Sequence, residues 1–350
     1  MSSSLTMVDL GFALKCSEQW RLESRFFPSK IGGKPAWLDL KNIPGKSELE
    51  CEYCGNPCIF LCQIYAPYDD PDTFHRTIYI FICKNVECCK FNQNGNLKVF
   101  RSQLNKHNVF YSPNPPIEKE DWETSVDVSK WTKTCHICGI LAPFHCSKCK
   151  VVNYCFRTHQ IHDWKNGHKK KCGTKADSVN ERLCENNDIL FSEYEITIDT
   201  EELDMEDIEC EQKELEKYNA MIRDGTAGTL QNEDMDDDLL QMALDEKDEI
   251  FTEFHTKVQE HPNQILRYNR GGEVLYISPH NQVTNIPKCP ECNGNRQFEF
   301  QIMPQLLHYL GSTDFKCLDW GILAVFTCEQ SCKPNNKYIK EYIWKQDIVQ

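Results

Sequence analysis

The sequence predicts an α+β, β-rich protein in which a duplicated β body is interrupted by a small Cys/His-rich insertion and an acidic linker. Three observations predict it. Eight Cys and His residues at paired spacings crowd into one 38-residue stretch, two flanking segments match each other at several landmarks, and most of the chain's excess acid lies between them.

The crowded stretch holds Cys135, Cys138, Cys146, Cys149, Cys155, His159, His168 and Cys172. Zinc is bound by thiolate sulfur and imidazole nitrogen, and a structural site uses four such ligands with no open position. Eight ligands therefore make two closed sites. The close pairs alternate along the chain, so the expected assignment is crossed: Cys135, Cys138, Cys155 and His159 on one ion, and Cys146, Cys149, His168 and Cys172 on the other. His162 lies in the same gap as an alternative to His159. The ligand order, Tyr154-Cys155 and Trp164 before His168 make the stretch resemble a MYND-type zinc finger, assigned to residues 134–172. Scattered core cysteines would not give paired C-x2-C spacing.

The segments on either side repeat one another. Gly32-Gly33 precedes Trp37, Cys51-Glu-Tyr-Cys54 and Gln63-Ile64, as Gly271-Gly272 precedes Tyr276, Cys289-Pro-Glu-Cys292 and Gln301-Ile302. The second Cys and the Gln-Ile pair are nine residues apart in both copies, which points to an internal repeat. Each copy continues through an apolar run into a second cysteine pair, Ile78–Ile82 before Cys83 and Cys88, and Leu323–Thr327 before Cys328 and Cys332. A strand ending at a Cys pair is the frame of a zinc ribbon. The expected sites are Cys51, Cys54, Cys83 and Cys88 in one copy, and Cys289, Cys292, Cys328 and Cys332 in the other. With the finger this predicts four zinc ions per chain. Cys89 stays open as an alternative to its neighbour Cys88. Cys58 and Cys62 have no cysteine opposite them in the second copy and read as ordinary thiols, as do Cys16, Cys184, Cys210 and Cys317.

The remaining elements follow from composition and periodicity. Strands are expected at 8–14, 36–40, 59–64, 78–82, 274–277, 298–302, 323–327 and 338–344, where β-branched and aromatic residues run between Gly and Pro punctuation. Short helices are expected at 305–310 and 102–105, and Ser112-Pro-Asn-Pro-Pro116 is a stiff connector. The two repeats, 1–111 and 263–350, would pack as one β-rich body with residues 112–262 as an insertion.

Net charge is −14, but residues 175–262 alone carry 28 acids and 7 bases. Such a segment buries too little apolar surface to offset ordering, so a mostly disordered linker is expected, with helical periodicity at 210–223 and 239–258. It reads as a solvated tether or as an acidic surface for a basic partner. Twenty-one cysteines at metal-type spacing, with no apolar leader after Met1, fit a reducing cytoplasmic or nuclear compartment. No run of about 18 apolar residues occurs, so no transmembrane helix is expected.

The order of Gly-Gly-x-Pro-x-Trp, ribbon, Arg101-Ser-Gln-Leu104, finger, acidic stretch and Gln264-Ile-Leu-Arg-Tyr-Asn-Arg-Gly-Gly272 before a second ribbon resembles the programmed cell death protein 2 family. The likeness runs from about Val8 to Ile348 and is weakest in the linker. It implies a non-enzymatic factor in small ribosomal subunit production, a dedicated chaperone that captures newly made small-subunit protein two. Some relatives lack the finger, which makes the finger accessory to that task.

Other functions leave weaker traces. Every expected zinc site is fully ligated, and no H-E-x-x-H, P-loop, G-x-S-x-G or deaminase pattern is present, so no enzyme is expected. Lys148, Lys150, Arg157, Lys165 and Lys169–Lys171 form a basic run on the finger, yet the acidic linker beside it would repel a polyanion, and direct nucleic-acid binding is not expected. A finger that docks proline-rich peptides through Tyr154, Phe156, Gln160 and Trp164 is the alternative reading, an adaptor in transcriptional corepression or apoptosis. Trp37 and Tyr276 read either as packed aromatics or as groove residues.

Overall fold

The computed structural model describes residues 7–174, 189–201, 249–311, 318–333 and 338–348. Eleven strands form one near-barrel sheet: β1 (Asp9–Leu14), β2 (Lys30–Ile31), β3 (Ile59–Tyr65), β4 (His75–Ile82), β5 (Leu97–Leu104), β8 (Tyr194–Thr200), β9 (Gln264–Tyr268), β10 (Arg296–Ile302), β11 (Ile322–Cys328), β12 (Ile339–Lys340) and β13 (Tyr342–Gln346). β6 (Phe144–His145) and β7 (Asn153–Tyr154) make a small ribbon in the finger. Helices are few, and among the described residues none is long and apolar enough to cross a membrane.

The strand order is β12-β5-β4-β3-β2-β8-β1-β9-β10-β11-β13. It places an antiparallel group from the first half of the chain, β2 to β5, opposite a like group from the second half, β9 to β11 with β13. Between them β1 pairs with β8 on one side and with β9 on the other, and β8 reaches β2. Each half therefore lends its first strand to the other. At the far side the chain joins the halves directly, because β12 pairs with β5 and β13 pairs with β11 across the single residue Glu341.

Alternation explains why β3 and β4 are buried on both faces. Phe60, Tyr79 and Phe81 point outward into a cluster with Trp37, Leu40 and the finger's Ile137, Ile140 and Tyr154, while Leu61, Ile64, Ile78 and Ile80 point inward with Phe300, Leu323 and Val325. A period of two with both faces covered yields a nearly continuous apolar run.

The two halves share local devices. A bulge falls between Phe60 and Cys62 in β3 and between Phe298 and Phe300 in β10. The Gln63 amide bonds both the N–H and the C=O of Ala36 at 2.9 and 3.2 Å. Gln301 does the same for Leu275 at 2.8 and 3.0 Å. These two contacts also explain a difference from expectation. Residues 36–40 and 274–277 are not strands, since a glutamine side chain takes the backbone groups that a ladder would need. Gly32 and Gly271 precede these stretches at φ +63° and +77°, and a Cβ on Gly32 would lie 2.0 Å from the Ser192 carbonyl.

Other expectations change as well. Residues 102–105, expected as a helix, belong mainly to β5, and 338–344 is two strands broken at Glu341. The 305–310 turn is a 3-10 helix over Pro304–Tyr309. Within 175–262, β8 lies in the middle of the sheet where linker is expected, and the helix over Glu249–Glu260 falls on the expected helical segment 239–258. Tyr194, Ile196 and Ile198 give β8 its strand character, while its last four positions, Thr197–Thr200, are exposed, so its acid reads as linker composition. The expected helix at 210–223, the acidic runs after Glu201 and Cys184, Cys210 and Cys317 lie outside the described residues.

Four candidate metal centres

All four C-x2-C pairs are built on one turn. The N–H of the residue four after the first Cys donates to that Cys carbonyl at 2.9 Å, from Gly55 to Cys51, Gly139 to Cys135, Lys150 to Cys146 and Asn293 to Cys289. The donor residue has positive φ each time, 68°, 76°, 59° and 57°. Glycine and asparagine tolerate that conformation, whereas Lys150 holds it against the ordinary preference of a side-chain-bearing residue. The turn points both sulfurs to one side, where a second pair of ligands arrives from a distant segment.

Among the described residues four groups result: Cys51, Cys54, Cys83 and Cys88; Cys135, Cys138, Cys155 and His159; Cys146, Cys149, His168 and Cys172; and Cys289, Cys292, Cys328 and Cys332. Within each group the ligand atoms lie within 4.8 Å of one another. In the two hairpin sites, β4 and β11 deliver Cys83 and Cys328 at their ends, and the turn after each strand delivers Cys88 or Cys332.

The spacing fits zinc. A Zn–S bond of about 2.3 Å at a tetrahedral angle sets neighbouring sulfurs about 3.8 Å apart, well beyond the roughly 2.05 Å of a disulfide. The S···S separations are 3.7 Å for Cys54 and Cys83, 3.4 Å for Cys138 and Cys155, 3.8 Å for Cys146 and Cys172, and 3.6 Å for both Cys289 and Cys332 and Cys292 and Cys328. His159 faces Cys135 and Cys155 through Nδ1 at 3.6 and 3.2 Å, and His168 faces Cys149 through Nε2 at 3.6 Å. The described cysteines are free thiols. Four soft donors at these distances are compatible with zinc and leave no open position.

The two residues left open by spacing have other occupations. His162 bonds Asn166 at 2.9 Å, and Cys89 donates to the Asp319 carbonyl at 3.1 Å. Cys58 and Cys62 lie in none of the four groups, and burial pushes the Cys58 thiol up to about 12 and raises Cys62 further. Within the groups the thiols split: against the upward push of burial, backbone N–H donors and neighbouring ligands bring Cys54 down to about 7 and Cys146 to about 6, whereas burial and neighbouring thiols raise Cys83, Cys88, Cys138, Cys172, Cys328 and Cys332.

The finger is docked on the first half of the sheet. Trp37 Nε1 donates to the Gly139 carbonyl at 2.8 Å, Leu141 N–H donates to the Pro44 carbonyl at 3.2 Å, and Lys46 Nζ sits 5.2 Å from the centre of the Phe156 ring. Trp37 is thus a packed aromatic, 2% exposed. Two expected groove residues are also consumed by packing: Tyr154 is buried and donates to Asp163 at 2.7 Å, and Phe156 is buried beside Lys46. Trp164 packs edge-on against His168 at 5.8 Å and braces the second finger site. The spacing of its ligands predicts an inserted finger but not its docking; the sequence signal for docking is the apolar character of Ile137, Ile140 and Leu141 inside a polar stretch, which pack with the cluster around Trp37.

Comparison with known proteins places this geometry. The model for the programmed cell death protein 2 N-terminal domain matches residues 7–118, that for the putative C-terminal domain of the same protein matches 248–347, and the MYND finger model matches 135–172. The chain is 42% identical over 351 residues to "Programmed cell death protein 2" of Mus musculus, covering 98% of this chain and 97% of that protein. The Bos taurus protein of the same name is 42% identical over 358 residues, covering 99% and 98%. A Schizosaccharomyces pombe protein, "Probable 20S rRNA accumulation protein 4", is 34% identical over 96 residues, 24% of each chain. No solved structure matches.

Proposed function

This chain belongs to the programmed cell death protein 2 family, and on that footing we propose that it is a non-enzymatic zinc protein, a dedicated chaperone for newly made small-subunit protein two in small ribosomal subunit production. It works in cytoplasm and nucleus, and it holds four structural zinc ions, two in the MYND finger and one in each of two duplicated zinc ribbons. The observation that carries the ribosomal part is the match to the S. pombe protein whose name ties it to 20S rRNA. The closed donor sets support a binding rather than a catalytic role, because no ligand position is left for a reactive water.

Charge supports the kind of client. Ribosomal proteins are basic, and the 28 acids against 7 bases of residues 175–262 attract such a chain over a distance that salt shortens. The peptide-reading alternative has less support, since Tyr154 and Phe156 are buried.

The test is synthesis of small-subunit protein two in a translation extract with and without the purified chain. The expected result is a soluble one-to-one complex that weakens as salt rises. Equal retention of unrelated basic proteins, or none of this client, overturns the reading.

A further inference from the structure

The second four-cysteine group is gripped from the other half of the protein. Arg101 stands on β5 with its guanidinium fully buried. Its Nε donates to Glu341 Oε1 at 2.7 Å, its Nη1 to the Cys332 carbonyl at 3.1 Å, and its Nη2 lies 3.7 Å from Cys332 Sγ. Two residues along the same face, Gln103 Nε2 donates to the Ser331 carbonyl at 3.1 Å. The turn that presents Cys328 and Cys332 is therefore held by side chains of the first half. A matching reach runs the other way. Lys345 has the register position in β13 that Arg101 has in β5, and its Nζ donates to the Lys90 carbonyl at 3.2 Å, in the turn just after Cys88. Lys345 meets a carbonyl, whereas Arg101 also meets a ligand sulfur.

We propose that the group Cys289, Cys292, Cys328 and Cys332 is a metal-dependent clasp, in which zinc fixes the turn that Arg101 grips and Arg101 in return stabilises the zinc-bound thiolates. Four thiolates on a dication leave two negative charges, and a guanidinium beside Cys332 offsets part of that charge in a buried setting. Without the metal the turn loses the tie between Cys332 and the other three cysteines, and the guanidinium of Arg101 is left holding a turn that its own cysteine group no longer fixes. Zinc occupancy at this group and closure between β5 and the second half are thus linked, each favouring the other by the same factor. Glu341 completes the device, since it takes Arg101 and Arg296 together at the residue where the chain steps from β12 to β13.

The clasp rests on the zinc reading above, and the test separates the two. Full-length zinc-loaded protein is challenged with a chelating dye, and mass spectrometry of alkylated cysteines shows which group opens. Arg101→Gln is expected to release zinc from the second ribbon group roughly 10–100-fold faster, with the other three groups unchanged and Arg101→Lys intermediate. Cys289→Ser, which breaks the group from its own half, is expected to raise amide hydrogen exchange across β5, residues 97–104; this arm decides the matter if Arg101→Gln does not fold. Unchanged release in Arg101→Gln, equal acceleration at all groups, or exchange changes confined to residues 289–333 would overturn the clasp. A second group that holds no zinc in the unaltered protein overturns the zinc reading of that ribbon and the clasp together.

Discussion

Arg76 on β4 and Glu299 on β10, 223 residues apart in the chain, meet as a fully buried ion pair inside the near-barrel. Arg76 Nη1 pairs with Glu299 Oε1, and Nη2 donates to Oε2 at 2.7 Å. Tyr268 donates to the same carboxylate at 3.0 Å, and Arg270 lies 3.8 Å away. Burial opposes the ionised Glu299, but the Arg76 guanidinium beside it holds its carboxyl below the usual range. Glu299 sits at the bulge between Phe298 and Phe300, and its pair with Arg76 ties the two halves together at a point that neither half could satisfy alone.

Removing one partner leaves the other charged and dry. Arg76→Met or Glu299→Gln is expected to cost about 3–5 kcal/mol in urea unfolding of the zinc-loaded protein. Arg76→Met combined with Glu299→Gln should cost clearly less than the two single changes added together. Additive losses would mean that the pair does not couple the halves.

Trp37 carries the seam between sheet and finger. Trp37→Ala is expected to destabilise by about 3–5 kcal/mol, and Trp37→Phe, which keeps the stacking on Phe81 but loses the bond to Gly139, by about 1 kcal/mol. Limited proteolysis should show the Ala variant cut first within residues 135–172. For the same reason deleting the finger strips cover from Tyr79 and Phe81. A deletion that leaves the first half fully stable would contradict this packing.

His75 is buried against Phe27 and accepts or donates a 2.9 Å bond with Tyr65, and burial lowers its pKa to about 4. The imidazole is neutral in the fold, while in the unfolded chain it takes a proton near its ordinary value of about 6.5. The unfolded state therefore binds more protons between the two values, so stability is full above pH 6.5 and falls as pH drops toward 4. Subtracting the profile of His75→Phe from that of the unaltered protein isolates this component from acid loss of zinc. A flat difference across that window would refute it.

Cysteine substitutions separate ligands from bystanders. Cys83→Ala is expected to lower bound zinc by one ion, whereas Cys58→Ala and Cys62→Ala leave the count unchanged, as read by metal analysis of purified protein. Loss of an ion from Cys58→Ala would move that thiol into the first group.

The ligand groups were legible because four-ligand metal coordination of the kind zinc takes imposes spacing on the chain itself: two ligands such as Cys51 and Cys54, or Cys289 and Cys292, must sit on one turn whatever else the fold does. The repeat was legible through Gln63 and Gln301, whose shared backbone bonds with Ala36 and Leu275 preserve a local register. What was hidden depends on contacts far apart in sequence. β8 reads as linker by charge, yet β1 pairs with it along its whole length. Glu341 looks like any strand residue in the sequence, yet it lies between β12 and β13 with its carboxylate buried between Arg101 and Arg296. The finger's docking was hidden for the same reason, since Trp37 and Gly139 are 102 residues apart.

Capture of the chain from ribosomes during translation tests the central proposal most directly. The account predicts that the purified chain, added to an extract of translating ribosomes, recovers small-subunit protein two and its messenger RNA together, in amounts that fall with salt and persist when exposed finger lysines Lys169, Lys170 and Lys171 are changed to alanine. A recovery dominated by transcriptional corepressors, with that messenger RNA at background, would contradict it.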